Sequence, residues 1–138
     1  MKKILVLCTG NSCRSQIAHG YLEFFGKSNV EIYSAGIEVH GVNPTAIKIM
    51  MEDDIDISYN TSNHVDEYLY INFDYIITVC DHAKESCPFI PHKAAVLIHK
   101  NFFDPSKADF KSKLYLDGFR ELRTQMKVYC KDFINKIG

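Results

Sequence analysis

The chain has 138 residues, 46% of them hydrophobic and 12% aromatic, enough to bury one core without disulfide or metal staples, so a single globular domain over 1–138 is expected. Sixteen Lys and Arg against seventeen Asp and Glu leave a formal net charge of -1, which argues against nucleic acid or an anionic membrane as a partner and leaves any anion binding to a local site. Five cysteines, an odd number with no small-scaffold pattern, favour catalytic or redox use in a reducing compartment, and the cytoplasm is the expected one.

Met1-Lys2-Lys3 followed by Ile4-Leu5-Val6-Leu7-Cys8 imitates a secretory leader. The apolar run is shorter than the roughly 7–15 residues a leader needs, so Lys3–Leu7 reads as a first strand. No run approaches the roughly 20 apolar residues that would cross a bilayer. Directly after the strand comes Cys8-Thr9-Gly10-Asn11-Ser12-Cys13-Arg14-Ser15, a strand-to-helix turn carrying a thiol and a guanidinium. A loop closing between Cys8 and Arg14 points backbone N–H groups inward, and the following helix adds its positive end, so a tetrahedral oxyanion finds donors from several directions. Arg14 adds a planar fork. The same field is expected to favour thiolate at Cys8, with a pKa of roughly 3.5–7.5 for a cysteine beside a cation at a helix N-terminus. Gly10 and Asn11 are expected to supply positive-φ turn geometry, and Ser15 a hydrogen bond to the Cys8 sulfur.

The next element is a helix over Ser15–Phe25, with Ile17, Ala18, Tyr21, Leu22 and Phe25 as one apolar stripe. Val30–Ser34 follows as a strand, Ser34-Ala35-Gly36 and His40-Gly41-Val42-Asn43-Pro44 as turns, and Asn43–Glu52 as a helix with Pro44 in its first turn. Tyr75–Val79 and Ala94–Ile98 are the remaining strands. The last helix spans Leu116–Ile137, with Leu116, Phe119, Leu122, Met126, Tyr129, Phe133 and Ile137 stepping at three or four, although Gly118 weakens its start. This alternation predicts an α/β domain: a four-stranded parallel sheet in a three-layer arrangement with helices on both faces.

In such a sheet the carboxyl ends of the strands share one rim, so Cys80, just past Tyr75–Val79, can approach Cys8. Cys80 and Cys87 bracket the polar segment Asp81-His82-Ala83-Lys84-Glu85-Ser86, and three readings are open. Cys87 can swing to Cys80 and give a three-thiol relay by thiol–disulfide exchange; Cys80, His82 and Cys87 can ligate zinc, although a fourth ligand is missing; or both cysteines are inert. Asp104-Pro105 marks a loop, because proline disfavours a helical residue before it. Its carboxyl can protonate an oxygen leaving from the anion loop, or Asp104 is only a turn residue. Cys13 and Cys130 read as structural cysteines, Cys13 with its side chain turned away from the ligand. The histidines, His19, His40, His64, His82, His92 and His99, are dispersed and form no ligand set.

With the Cys8 loop, the Cys80/Cys87 pair and Asp104-Pro105 in that order, the chain resembles the thioredoxin-coupled arsenate reductases, which share the low-molecular-weight protein tyrosine phosphatase fold. Ser34-Ala35-Gly36-Ile37, His40-Gly41-Val42-Asn43-Pro44, Ile55-Asp56-Ile57-Ser58 and Thr61-Ser62 extend the match over nearly the whole length. The resemblance implies an enzyme of arsenical resistance with catalytic Cys8, Cys80, Cys87, Arg14 and Asp104, and an oxyanion loop of Thr9, Gly10, Asn11, Ser12, Cys13, Arg14 and Ser15. Cys8 would form an arseno adduct, Cys80 would attack Cys8 to release arsenite, and Cys87 would close a Cys80–Cys87 disulfide. No bound cofactor is implied, with thioredoxin as the external reductant and a monomer as the working state. Family members often bind potassium near the loop. Asn11, Ser34 and Thr61 match that site, but His19 and Asn63 stand at its carboxylate positions, so weak or absent potassium dependence is expected. The segment His99-Lys100-Asn101-Phe102-Phe103 departs from the family's Trp-Gly-Phe-Asp run. A low-molecular-weight tyrosine phosphatase using Cys8, Arg14 and Asp104 is the alternative. A thiol redox sensor or oxyanion-binding module is a third, and it leaves Asp104 without a task.

Overall fold

The computed structural model describes residues 1–81 and 95–138. Ile4, Leu5, Val6 and Leu7 are all essentially inaccessible to solvent, and burial of consecutive side chains, which point to opposite faces, requires a central strand covered on both sides. That strand, β1 (Lys2–Cys8), pairs in parallel with β2 (Val30–Gly36) and β3 (Tyr75–Thr78), and β3 pairs in parallel with β4 (Val96–His99). The order is β2-β1-β3-β4. The expected four-stranded parallel sheet is therefore present. Ser34-Ala35-Gly36, expected as a turn, instead extends β2, because Val6, Leu7 and Cys8 offer it partners in register. Ala94, the expected start of the fourth strand, lies outside the described residues.

Among the described residues three α-helices follow the apolar stripes: α1 (Arg14–Gly26), α2 (Pro44–Met51) and α3 (Tyr115–Ile137). Asn43 is the cap of α2 rather than its first residue. Its side-chain oxygen accepts from the N–H groups of Thr45 (2.8 Å) and Ala46 (3.3 Å), with Pro44 in the first turn, where a missing N–H is harmless. In α3, Phe119, Leu122, Met126, Cys130 and Phe133 are buried. Phe133 stacks edge-on with Tyr75 of β3 and Tyr129 edge-on with Phe102, so the last helix braces the rim that follows β3 and β4. Gly118 is tolerated there because packing of the stripe outweighs a helix propensity penalty of about 1 kcal/mol.

Alternation along β2 separates the two faces. Ser34 meets His19 of α1, whereas Tyr33 points the other way and packs edge-on with Tyr68 and Phe73. The 3-10 helix Val65–Tyr68 thus covers the face opposite α1. Among the described residues no helix is long and apolar enough to cross a membrane. Outside the core, Glu52 receives Arg120 and Arg123, with its nearest contacts at 2.8 Å, and Lys127 meets Asp53 at 2.9 Å, fastening the end of α2 to α3.

Candidate active site

Cys8 ends β1, and α1 starts at Arg14. The five residues between them turn back along the sheet rim under constraints from two distant segments, 38–43 and Ser62, and from Gln16 of the first helix. The carbonyl of Thr9 accepts the Glu38 N–H (2.9 Å), that of Gly10 accepts the His40 N–H (3.0 Å) and the Ser62 hydroxyl (3.0 Å), and that of Ser12 accepts the Asn43 N–H (2.9 Å). The Asn11 carbonyl accepts the Gln16 side-chain amide at 3.1 Å. In a trans peptide the C=O and the next N–H point in opposite directions. Carbonyls tied outward at Thr9, Gly10, Asn11 and Ser12 therefore aim the N–H groups of Gly10, Asn11, Ser12 and Cys13 to the concave side. No peptide bond among the described residues is cis. Convergent N–H groups of this kind are what an anion nest requires.

Asn11 holds the turn from within. It is fully buried with φ 47°, a left-handed conformation that asparagine tolerates better than most residues. Its Nδ2 donates to the Ser34 carbonyl (3.1 Å), and its Oδ1 accepts from Ser15 Oγ (2.8 Å) and Gln16 Nε2 (3.0 Å). Two expectations are corrected here. Ser15 spends its hydroxyl on Asn11, so it buttresses the loop from behind instead of serving the Cys8 sulfur. Gly10 does not have positive φ; its role is close approach, since a Cβ would lie 2.3 Å from Nδ1 of His40 and push that ring aside. Gly36 is constrained more firmly, since its Cβ would meet the backbone atoms Asn11 N and Thr9 O at 2.7 Å.

Thr9, Gly10, Ser12, Cys13 and Arg14 line a cleft of about 570 Å³ together with Cys8, Cys80 and Asp104. Asn11 and Ser15 lie behind its wall. Arg14 is fixed by donation from one guanidinium nitrogen to the Phe102 carbonyl (3.1 Å), and its other terminal nitrogen lies 3.7 Å from Asp104 Oδ2. The second Asp104 oxygen accepts from the Ser106 N–H (3.0 Å) and hydroxyl (2.6 Å), capping the short 3-10 helix Pro105–Lys107. Asp104 is thus both the turn residue and a member of the cleft. Its cap fixes one oxygen and leaves the other facing Arg14.

Parallel pairing of Leu7 with Thr78 carries both chains forward together, and Cys80 arrives beside Cys8. The Cys80 side chain hydrogen-bonds Cys8, and its sulfur lies 3.3 Å from Thr9 Oγ1. That contact and burial push the Cys8 thiol well above its usual pKa, against the opposing pull of Arg14 and the Thr9 N–H. The expectation of a depressed pKa at Cys8 is corrected accordingly: Arg14 acts in the expected direction, but a neighbouring thiol and a dry site outweigh it. Cys13 is buried in the wall, its thiol pushed up by desolvation and by Asp104. Cys130 is wholly buried, its sulfur 3.8 Å from the Ala18 carbonyl. Both behave as structural cysteines. Cys87 and His82 lie outside the described residues, as does His92, and no metal-ligating cluster occurs among the described residues.

The donor set around Asn11, Ser34 and Thr61 does not fit a cation. Asn11 turns its amide nitrogen toward the Ser34 carbonyl and its oxygen toward two donors, Ser34 Oγ contacts His19 Nδ1 at 2.8 Å, and Thr61 Oγ1 donates to Asn63 Oδ1 at 2.6 Å. Sequence reasoning missed His40, Asn101, Phe103, Ser106 and Lys107 as cleft residues. The Gly10–His40 approach links segments whose adjacency no local pattern reveals.

A family model described as low molecular weight phosphotyrosine protein phosphatase matches residues 3–138. An arsenate reductase of Halalkalibacterium halodurans is 42% identical over 132 residues, covering 96% of this chain and 94% of that protein. A solved arsenate reductase in its oxidized state superposes with a TM-score of 0.86 at 30% identity over the full length of both chains. A low molecular weight tyrosine phosphatase from T. tengcongensis shares the fold, with a TM-score of 0.83 at 20% identity over 99% of both chains. On this sequence and structural kinship, the chain belongs to the low molecular weight phosphotyrosine protein phosphatase family, within its arsenate reductase group.

Proposed function

We propose that this protein reduces arsenate to arsenite by a Cys8/Cys80/Cys87 thiol relay recycled by thioredoxin. The observation that carries this reading is the hydrogen bond between the Cys8 and Cys80 thiols at an oxyanion loop. Hydrolysis of a phosphate ester needs the nest, Arg14, Cys8 and an acid, but it has no use for a second thiol in contact with the nucleophile.

Arsenate enters the nest with its charge on the inward N–H groups and Arg14. As the Cys8 sulfur attacks, its thiol proton passes to an arsenate oxygen, directly or through the Asp104 carboxyl, and that oxygen leaves as water, giving a Cys8–S–As(V) adduct. Cys80 thiolate attacks the Cys8 sulfur. The S–S bond forms, the S–As bond breaks, and its electron pair reduces As(V) to As(III), which leaves as arsenite. Cys87 thiolate attacks Cys80, expelling Cys8 thiolate and leaving a Cys80–Cys87 disulfide. A thioredoxin dithiol reduces that disulfide, as befits a reducing cytoplasm. Every group used comes from one chain, so a monomer suffices.

The test is arsenate-dependent NADPH oxidation with thioredoxin and thioredoxin reductase, alongside hydrolysis of p-nitrophenyl phosphate. Cys80→Ser and Cys87→Ser should each abolish steady-state reduction, with Cys80→Ser retaining ester hydrolysis. Arg14→Lys, which replaces a fork by a point charge, should lower both reactions by about 10²–10³-fold. Undiminished arsenate turnover in Cys80→Ser would overturn the relay. Hydrolysis without any arsenate turnover in the unaltered protein would instead favour a phosphatase acting through Cys8, Arg14 and Asp104, the geometry of which is also complete here.

A further inference from the structure

Cys80 lies beyond the last paired residue of β3, so the sheet ladder alone does not fix it. On its amino side Val79 is held by both neighbours: its N–H donates to Leu7 O (3.0 Å), and its carbonyl accepts the Phe102 N–H (2.9 Å). On its carboxyl side the hold is made by side chains. The Asp81 N–H donates to Asn101 Oδ1 at 3.0 Å, and Asp81 Oδ1 lies 2.6 Å from His99 Nε2. His99 is in turn fixed by Thr78, its cross-strand partner, through Nδ1 at 2.7 Å from Thr78 Oγ1. A carboxylate accepts, so His99 Nε2–H donates to Asp81, while Nδ1 and the Thr78 hydroxyl share the second hydrogen bond.

We propose that His99 is a positioning residue for the second thiol: by bridging Thr78 at the end of β3 to Asp81, it anchors the backbone after Cys80 and keeps that sulfur against Cys8. This rests on the relay reading for its catalytic consequence, but not for its geometry. His99 itself does not line the cleft; its effect on chemistry passes through Asp81 and Cys80. Asp81 is largely exposed, its side chain 67% accessible, whereas that of His99 is 23% accessible. The bridge therefore has a fixed inner end and a releasable outer one, which suits a thiol that must first meet Cys8 and then turn to another partner.

The experiment compares His99→Ala, His99→Gln and Cys80→Ala with the unaltered full chain. Three readings are taken: arsenate-dependent NADPH oxidation, p-nitrophenyl phosphate hydrolysis, and the pH dependence of Cys8 alkylation by iodoacetamide, with the modified cysteine identified by peptide mass. In His99→Ala, kcat for arsenate should fall roughly tenfold to a hundredfold, the size of loss that accompanies a misplaced reacting group. KM for arsenate should stay within about twofold and ester hydrolysis should not fall, since neither uses Cys80 in the relay mechanism; a larger thiolate fraction at Cys8 should instead speed hydrolysis. Cys8 alkylation should shift to lower pH, toward the Cys80→Ala profile, because a displaced Cys80 no longer holds the Cys8 proton. His99→Gln keeps an N–H donor at the reach of Nε2 and should recover most of the lost kcat. Equal losses in both reactions, an unchanged kcat, or a glutamine variant no better than alanine would overturn the proposal. Should the unaltered protein show no arsenate turnover, the function reading fails, and the alkylation profile alone decides the anchor: a shift in His99→Ala supports it and an unmoved profile refutes it.

Discussion

The Cys80 side chain hydrogen-bonds Cys8 where two neighbouring parallel strands end, and the contact raises the pKa of the thiol that Arg14 would otherwise lower. The two cysteines are 72 positions apart in numbering, yet the register of β1 with β3 brings the ends of their strands side by side. Removing one should therefore change the acidity of the other.

Cys80→Ala is expected to lower the Cys8 pKa. The sign follows from the causes: the variant deletes the largest raising influence and leaves Arg14 and the Thr9 N–H in place. Thiolate absorbance near about 240 nm, or alkylation rate against pH, measures it. An unchanged or higher pKa would mean that burial alone sets the acidity of Cys8.

Asn11 should be the costliest loop residue to replace. Asn11→Ala removes the side-chain bonds to the Ser34 carbonyl, Ser15 Oγ and Gln16 Nε2, of which Gln16 alone retains other acceptors, and keeps the left-handed backbone, with an expected loss of about 2–4 kcal/mol. Asn11→Gly loses the same hydrogen bonds without the conformational strain and should be less destabilised by about 1 kcal/mol. Urea unfolding midpoints rank the two; equal midpoints would show that the strain at this position is negligible.

Gly10→Ala should weaken anion binding about tenfold or more, worth about 1.4 kcal/mol, because the new methyl group collides with the His40 ring. The double variant Gly10→Ala/His40→Ala should recover most of the loss, a coupling expected only of residues in contact. Inhibition of turnover by inorganic phosphate reports the affinity. A double variant no better than the single one would place the obstruction in the loop backbone.

Replacing sodium by potassium at constant ionic strength should change activity less than about twofold, because Asn11 Oδ1 already accepts from two protein donors, the Ser34 and Thr61 hydroxyls are tied to His19 and Asn63, and no carboxylate stands among these contacts. Strong stimulation by potassium would require His19 and Asn63 to yield their places.

The sheet, its order of layers and the anion loop were legible because their signals are local: the run Ile4–Leu7, the stripes of α1 and α3, and a thiol-to-guanidinium spacing directly after a strand. Cys80 was legible because parallel strands deliver their ends to one rim. The acidity of Cys8 was not, since local reasoning counts Arg14 and the helix end but cannot know that a second sulfur will touch the first. The role of Ser15 was missed for a related reason: a hydroxyl next to a loop has several acceptors within reach, and only the left-handed turn at Asn11 selects one. His99 looked like one of several scattered imidazoles until β4 set it opposite Thr78.

The backward-tied carbonyls of the loop have a consequence for how the protein tells ions apart. A cradle whose amides are aimed by the fold, before any guest arrives, recognises charge and tetrahedral shape and is nearly blind to the central atom. Phosphate, the abundant cellular look-alike, should occupy it much as arsenate does and compete throughout. Selection then falls to what happens afterwards: a phosphorus centre cannot accept an electron pair from sulfur and departs unchanged, so the ion is sorted by its redox chemistry and not by its fit.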